Sequence, residues 1–193
     1  MSAPASGSAG RALARQAAVY GPVAIAGVAV VAHRGEWTAL AAPAAGLVLW
    51  TLGYYLVHRF VLHGPERGRS DRAVERWRWA RRFDNHRYHH REPTDQSEIV
   101  FGIAETAPLF AFVALAAWAV TWSLPQVAGV IGGFAVGYLA YELLHYAVHT
   151  PRWARRPWAQ RWGENHLRHH NDARTNFGTL TTLWDRVFGT LRR

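Results

Sequence analysis

The sequence predicts an all-α integral-membrane protein of about four transmembrane helices, with a cytoplasmic helical cap that holds a dimetal site. Three observations carry that prediction. Long stretches of the 193 residues are free of charge. The arginines divide very unequally between the two sides that those stretches define, and ten of the eleven histidines gather in four clusters at the ends of the stretches. The length suits one domain over residues 1–193.

Residues 1–10 are rich in Ala, Ser and Gly and are expected to be disordered. From Gln16 to Ala32 nothing is charged, which predicts a first span over about 16–33. Trp37 to Val57 is equally uncharged and predicts a second over 37–57. Thr106 to Tyr141 is uncharged throughout and broken by Ser123-Leu124-Pro125, which predicts a hairpin of two spans over about 99–123 and 126–148. A bilayer-spanning helix takes roughly 20 apolar residues and can manage with about 17, which each of these stretches reaches. No small-residue cleavage site follows the first stretch, so it reads as an anchor and not a secretory signal. Gly129, Gly132, Gly133 and Gly137 in the last span predict close helix packing. The remaining polar segments, 58–97 and 149–193, form the cap.

There are no lysines, and 22 basic residues against 13 acids give a net charge of +9. Two arginines precede the first span, ten lie between His58 and Arg91, nine follow Pro151, and only Arg34 falls in the loop on the other side. That is the positive-inside distribution, and it predicts both termini and the cap in the cytoplasm. The charge is thereby explained by topology and anionic headgroups, and no nucleic-acid partner is expected. Trp37, Trp50, Trp118, Trp122, Trp153 and Trp158 lie near predicted helix ends, where indoles favour the interface.

The chemistry lies in the histidines. His33 stands alone; the others form His58-x4-His63, His86-x2-His89-His90, His145-x3-His149 and His166-x2-His169-His170. On a helix, i, i+3 and i+4 fall within about 100° of one another, so each triplet can present three imidazoles together. His145 and His149 share a face. His58 and His63 are about 140° apart on an ideal helix, so they must face different metals unless the helix ends early. Chance would supply one such triplet roughly 0.03 times in a chain of this composition, and here there are two in related sequences, an apparent internal repeat.

With no cysteine, a metal must be held by imidazole, carboxylate or carbonyl. Ten imidazoles overfill two zinc sites of four ligands and suit two shells of about five nitrogens; imidazole suits iron, and iron with open positions does oxygen chemistry. Asp84, Glu142, Glu164 and Asp185 are the carboxylates placed to support these ligands. A zinc site that only staples the cap to the helices is the non-enzymatic alternative. A metal transporter would place its ligands near the midplane, whereas these lie at helix ends.

At this point the sequence from about Gly53 to Thr190 resembles the fatty acid hydroxylase and sterol desaturase superfamily of membrane di-iron enzymes. Tyr141-Glu142-Leu143-Leu144-His145-Tyr146-Ala147-Val148-His149 is similar to the family's third histidine box. Asn176-Phe177-Gly178 and Trp184-Asp185-Arg186-Val187-Phe188-Gly189-Thr190 are similar to its closing segment, and His58-Arg59-Phe60-Val61-Leu62-His63 looks like the first box of fatty acid 2-hydroxylases. His86 to His90 and the following Pro93 also resemble that branch, although Gly102-Ile103 stands where it has a Pro-Pro pair. The resemblance implies that His58, His63, His86, His89, His90, His145, His149, His166, His169 and His170 ligate two iron ions, with zinc possible in purified protein.

It further implies an O2-dependent oxidoreductase that hydroxylates a C–H bond of a membrane lipid, foremost a fatty acyl chain. A carotenoid ring hydroxylase or a sterol-type desaturase is the alternative. Eukaryotic members often carry a fused cytochrome b5 domain, for which these residues leave no room. There is also no Gly-x-Gly-x-x-Gly fingerprint and no cysteine for a cluster. Electrons are therefore expected from a separate donor, cytochrome b5-like or a ferredoxin with its reductase.

Overall fold

The computed structural model describes residues 8–33, 37–63, 78–95 and 99–193, and the side chains of these except 37–40 and 78–84. In chain order the helices are α1 (Ser8–His33), α2 (Trp37–Leu56) running into a π-helical turn (Val57–Leu62), α3 (Arg78–Arg91), α4 (Ile103–Thr121), α5 (Leu124–His149), α6 (Pro151–Ala154), α7 (Pro157–Asn171) and α8 (Leu183–Val187). No strand occurs among the described residues. Four helical stretches are long and apolar enough to cross a membrane: Ser8–His33, Ala41–Leu62, Ile103–Thr121 and Leu124–His149.

Two boundaries differ from expectation. The first helix already includes Ser8 to Gly10, within the stretch expected to be disordered, while residues 1–7 lie outside the described residues. The third begins at Ile103 and not Ile99, because Gly102 is the N-cap, with extended backbone, and its N–H donates to the Glu105 carboxylate. Ile99 is thereby left out of a helical ladder and its carbonyl is available to a side chain.

The chain forms two compact units. One comprises Gly10–Thr51 and Val100–Leu143, the bulk of the four long helices. Its core is aromatic: Tyr20 stacks on Phe110 at 4.3 Å, and Trp50 sets its edge against Phe134 at 5.1 Å and Tyr138 at 5.2 Å. Trp50, Tyr138 and Tyr141 are buried, so these three rings pack helices together, and Trp50 does not anchor its helix in the interface as its position near a helix end suggested. Trp118 and Trp122, at the end of α4, are exposed as an interfacial pair should be. Phe112, Leu115 and Val120 of α4 also face outward. Lipid tails are as apolar as these side chains, so close packing, more than exclusion of water, must hold such helices to one another.

Gly133 shows how close that packing is. A β-carbon there would lie 1.9 Å from the carbonyl oxygen of Pro43, and backbone cannot move aside as a side chain can. Gly133→Ala is expected to lower the thermal midpoint of the detergent-purified protein markedly, by the about 1–3 kcal/mol or more that overpacking costs. An unchanged midpoint would show that the helices stand further apart than this.

The second unit comprises, among the described residues, 8–9, 52–63, 78–95, 99 and 144–193. It contains the end of α2, the π turn, α3, the last turns of α5, α6, α7 and the closing segment with α8. Tyr55 joins these parts. Its ring stacks on Phe188 at 5.3 Å, and its hydroxyl meets that of Thr190 at 2.9 Å and accepts from Arg59 at 2.9 Å.

Candidate metal centre

All ten clustered histidines lie in this second unit. The structure sorts them into two groups of five: His58, His63, His86, His90 and His169, and His89, His145, His149, His166 and His170. Within each group one nitrogen per ring lies within 4.8 Å of the others.

His58 and His63 fall in the same group, the outcome that their spacing allowed only if the α-helix ended early. It does end early, at Leu56, where the chain widens into the π turn, in which the N–H of His63 donates to the carbonyl of His58 at 3.0 Å. An i→i+5 turn stacks residues five apart, as an α turn stacks those four apart.

The triplets also divide. His86 and His90, at i and i+4, stay together, while His89 crosses to the other group. His166 and His170 likewise stay together and His169 crosses. On α3 and α7 the middle ring points about 100° away from the last, wide enough to serve a neighbouring centre. Each group is therefore one pair, two members of one triplet and the middle member of the other.

Backbone carbonyls fix the tautomers. His58 Nδ1 is 2.6 Å from the Phe177 oxygen, His145 Nδ1 is 2.8 Å from that of Ile99, and His169 Nδ1 is 2.7 Å from that of Thr175. A carbonyl only accepts, so these Nδ1 atoms carry the hydrogen and each Nε2 keeps a bare lone pair. His58 Nε2 is buried with no hydrogen-bond partner, and so are both ring nitrogens of His90.

Elsewhere Nε2 faces Nε2: 2.7 Å for His86 and His63, 3.0 Å for His169 and His63, 2.9 Å for His149 and His166, and 3.1 Å for both His145 with His89 and His170 with His166. Two nitrogens bound at right angles to a metal at about 2.0–2.1 Å stand about 2.9 Å apart, and at the tetrahedral angle about 3.3 Å. The separations match the first value. Two such pairs in the first group and three in the second, with five donors in each, fit a metal with a larger shell than structural zinc.

Burial keeps the rings ready to bind. Desolvation first, and neighbouring imidazoles second, push His63 down to about 3, His90 to about 4 and His170 to about 2. His86, His89, His166 and His169 are lowered as well, by desolvation above all. Each ring titrates lower in the folded protein than its ordinary 6.5, so as pH drops below 6.5 the unfolded chain binds more protons and stability falls. Chelator-treated protein is expected to show a thermal midpoint flat between about pH 7 and 8.5 and falling steadily from about 6.5 toward about 4. A midpoint that is level down to about pH 5 would mean solvated rings.

The carboxylates have separate fates. Glu142 is buried, and its Oε1 accepts the Phe101 N–H at 3.1 Å. Glu164 is on the exposed face of α7, where it pairs with Arg168 one turn on at 2.5 Å and bonds no histidine among the described residues. The side chain of Asp84 lies outside the described residues. Asp185 is buried and accepts the N–H groups of Phe177 and Gly178 at 2.8 and 2.9 Å. It neither bonds a histidine directly nor pairs with an arginine among the described residues. The carbonyls of Ile99, Thr175 and Phe177 were not foreseeable, because every residue has one and nothing in a sequence marks its direction.

The fatty acid hydroxylase family model matches residues 43–190, most of the chain and every clustered histidine. The chain belongs to the fatty acid hydroxylase family. Among similar members is dihydroceramide fatty acyl 2-hydroxylase FAH1 of Arabidopsis thaliana, 34% identical over 149 residues, which are 76% of this chain and 58% of the relative. Fatty acid 2-hydroxylase of Rattus norvegicus is 31% identical over 149 residues, 76% of this chain and 38% of the relative. The chain thus matches well under two thirds of the length of these relatives. A solved structure of full-length scs7p, in which only the hydroxylase domain is visible, shares the fold with a TM-score of 0.74 at 23% identity, over 94% of this chain and 67% of that one.

Proposed function

We propose that this protein is a membrane di-iron hydroxylase that uses O2 and externally supplied electrons to convert a C–H bond of a lipid acyl chain to C–OH, the reaction class named in its family relatives. The observation that carries the reading is the pair of five-nitrogen groups, in which the closest nitrogen pairs stand 2.7 to 3.1 Å apart. His58, His63, His86, His90 and His169 hold one ion, and His89, His145, His149, His166 and His170 the other. When bound, the two irons supply reductive activation of O2, so that one oxygen atom enters the C–H bond and the other leaves as water with two electrons and two protons.

The chain's own part is to hold and shelter. Burial keeps the imidazoles neutral and the carbonyls of Phe177, Thr175 and Ile99 hold three of them by Nδ1–H, so the ligands need little rearrangement to bind. The cap, 58–97 and 149–193, faces the cytoplasm with both termini, as the arginine distribution requires. There an acidic one-electron carrier, cytochrome b5-like or a ferredoxin, can dock against exposed Arg152, Arg155, Arg156 and Arg161.

The test is elemental analysis of detergent-purified protein grown in iron, beside lipid analysis under labelled O2 with a compatible donor. About two iron ions per chain and labelled oxygen in a hydroxyacyl product, both lost in a His89→Ala, His169→Ala double variant, are expected. One tightly held zinc and no labelled product would overturn the reading in favour of a structural site.

A further inference from the structure

Asp185 is fully buried, and both of its carboxylate oxygens are occupied by neutral donors. Oδ1 accepts the Phe177 N–H at 2.8 Å and the Thr190 hydroxyl at 2.8 Å. Oδ2 accepts the Gly178 N–H at 2.9 Å, with Asn165 Nδ2 at 3.4 Å. Burying a carboxylate is costly unless such bonds replace its water, so this arrangement calls for a reason.

The reason lies in which peptide is held. The Gly178 N–H and the Phe177 carbonyl belong to one peptide group, and that carbonyl receives the Nδ1–H of His58 at 2.6 Å. Carboxylate, peptide and imidazole therefore stand in line and end at His58 Nε2, which is buried and unpartnered. A hydrogen bond to the N–H of a peptide polarises its carbonyl into a better acceptor, and a better acceptor makes the attached imidazole a stronger ligand. Only glycine fits at 178, since a β-carbon there would lie 2.2 Å from the Thr181 carbonyl and 2.8 Å from Asp185 Oδ2. The second histidine group takes its outer partners elsewhere, His145 from Ile99, and His166 with the Thr179 hydroxyl at 3.4 Å.

We propose that Asp185 is a positioning residue for one metal site alone: through the Phe177–Gly178 peptide it orients His58 and sets the metal affinity of the His58 group, leaving the His149 group independent of it. The proposal rests on the two-metal reading above.

Cobalt titration of the metal-free protein of residues 1–193 in detergent, followed by visible absorption and by chelator competition, tests it. Wild-type protein should take up two Co2+. In Asp185→Asn, which retains one acceptor oxygen but turns an NH2 toward an amide, one ion should bind as before and the other about 10-fold or more weaker, the usual effect of losing a ligand's partner. Asp185→Ala should go further in the same direction, and His58→Ala should weaken the same ion, with Asp185→Asn adding little to it.

Gly133→Ala is the folding control. It overpacks the helices of the other compact unit against the Pro43 carbonyl and touches none of the histidines or their partners. It should lower the thermal midpoint yet leave both affinities unchanged. Equal weakening of both ions by Asp185→Asn, no weakening, or the same pattern in Gly133→Ala would overturn the proposal. Wild-type protein that takes up fewer than two ions would overturn the two-metal reading, and this proposal with it.

Discussion

Replacing His89 by alanine is expected to empty the metal site of His145, His149, His166 and His170, while the site of its own sequence neighbours His86 and His90 stays loaded. His169→Ala should do the reverse, emptying the site built on His58 and sparing that of His166 and His170. The crossing of the two middle rings is the cause: His89 Nε2 lies 3.1 Å from that of His145, and His169 Nε2 lies 3.0 Å from that of His63. A lost ligand should cost one ion more than about 100-fold in affinity, since even a ligand's hydrogen-bond partner is worth about 10–100-fold. Double-mutant cycles read by metal competition make the assignment sharp. His89→Ala should couple with His149→Ala and add independently to His63→Ala, because coupling requires a shared partner. Coupling of His89 with His63 would show that each triplet serves one metal as a unit.

The second large effect is expected in the π turn. Deleting Phe60, which is 59% exposed and packs little, places the first two histidines four apart. An ordinary α turn then sets them about 40° apart on one face, so both ions should remain bound. Inserting one alanine after Phe60 places them six apart, about 120° from each other on an α-helix, and the His58 group should lose its ion. Metal content and helical circular dichroism of the two variants, measured together, separate loss of the site from loss of the fold. Equal metal content in both would mean that the winding of residues 57–62 does not matter to the site. Wide turns of this kind recur at functional sites, and here the extra residue changes the register of His63 without breaking the helix.

How far the site could be read in advance depended on the range of each interaction. The four apolar stretches and the one-sided arginines determined a four-span helical protein, because bilayer thickness and backbone satisfaction leave a chain of that pattern little choice. The histidine spacings determined that two larger shells were more suitable than zinc sites, since donor count and donor type are properties of composition. The spacing of His58 and His63 left two arrangements open. Reading it needs the helix type, and Leu56 to His63 carries no residue that compels a π turn. Glu164 was one of the carboxylates expected to support the ligands, and α7 turns it outward to Arg168.

Only tertiary structure decided which histidines share a site, because the assignment depends on how α3, α7 and the ends of α2 and α5 face one another. Only tertiary structure, too, brought the carbonyls of Ile99, Thr175 and Phe177 behind the rings, and put Asp185 behind Phe177. Ligand type, span length and charge bias are summed along the chain and survive in a one-dimensional record. The direction of a carbonyl or a ring is set by contacts between residues as far apart as His58 and Phe177, and exists only once the chain has folded.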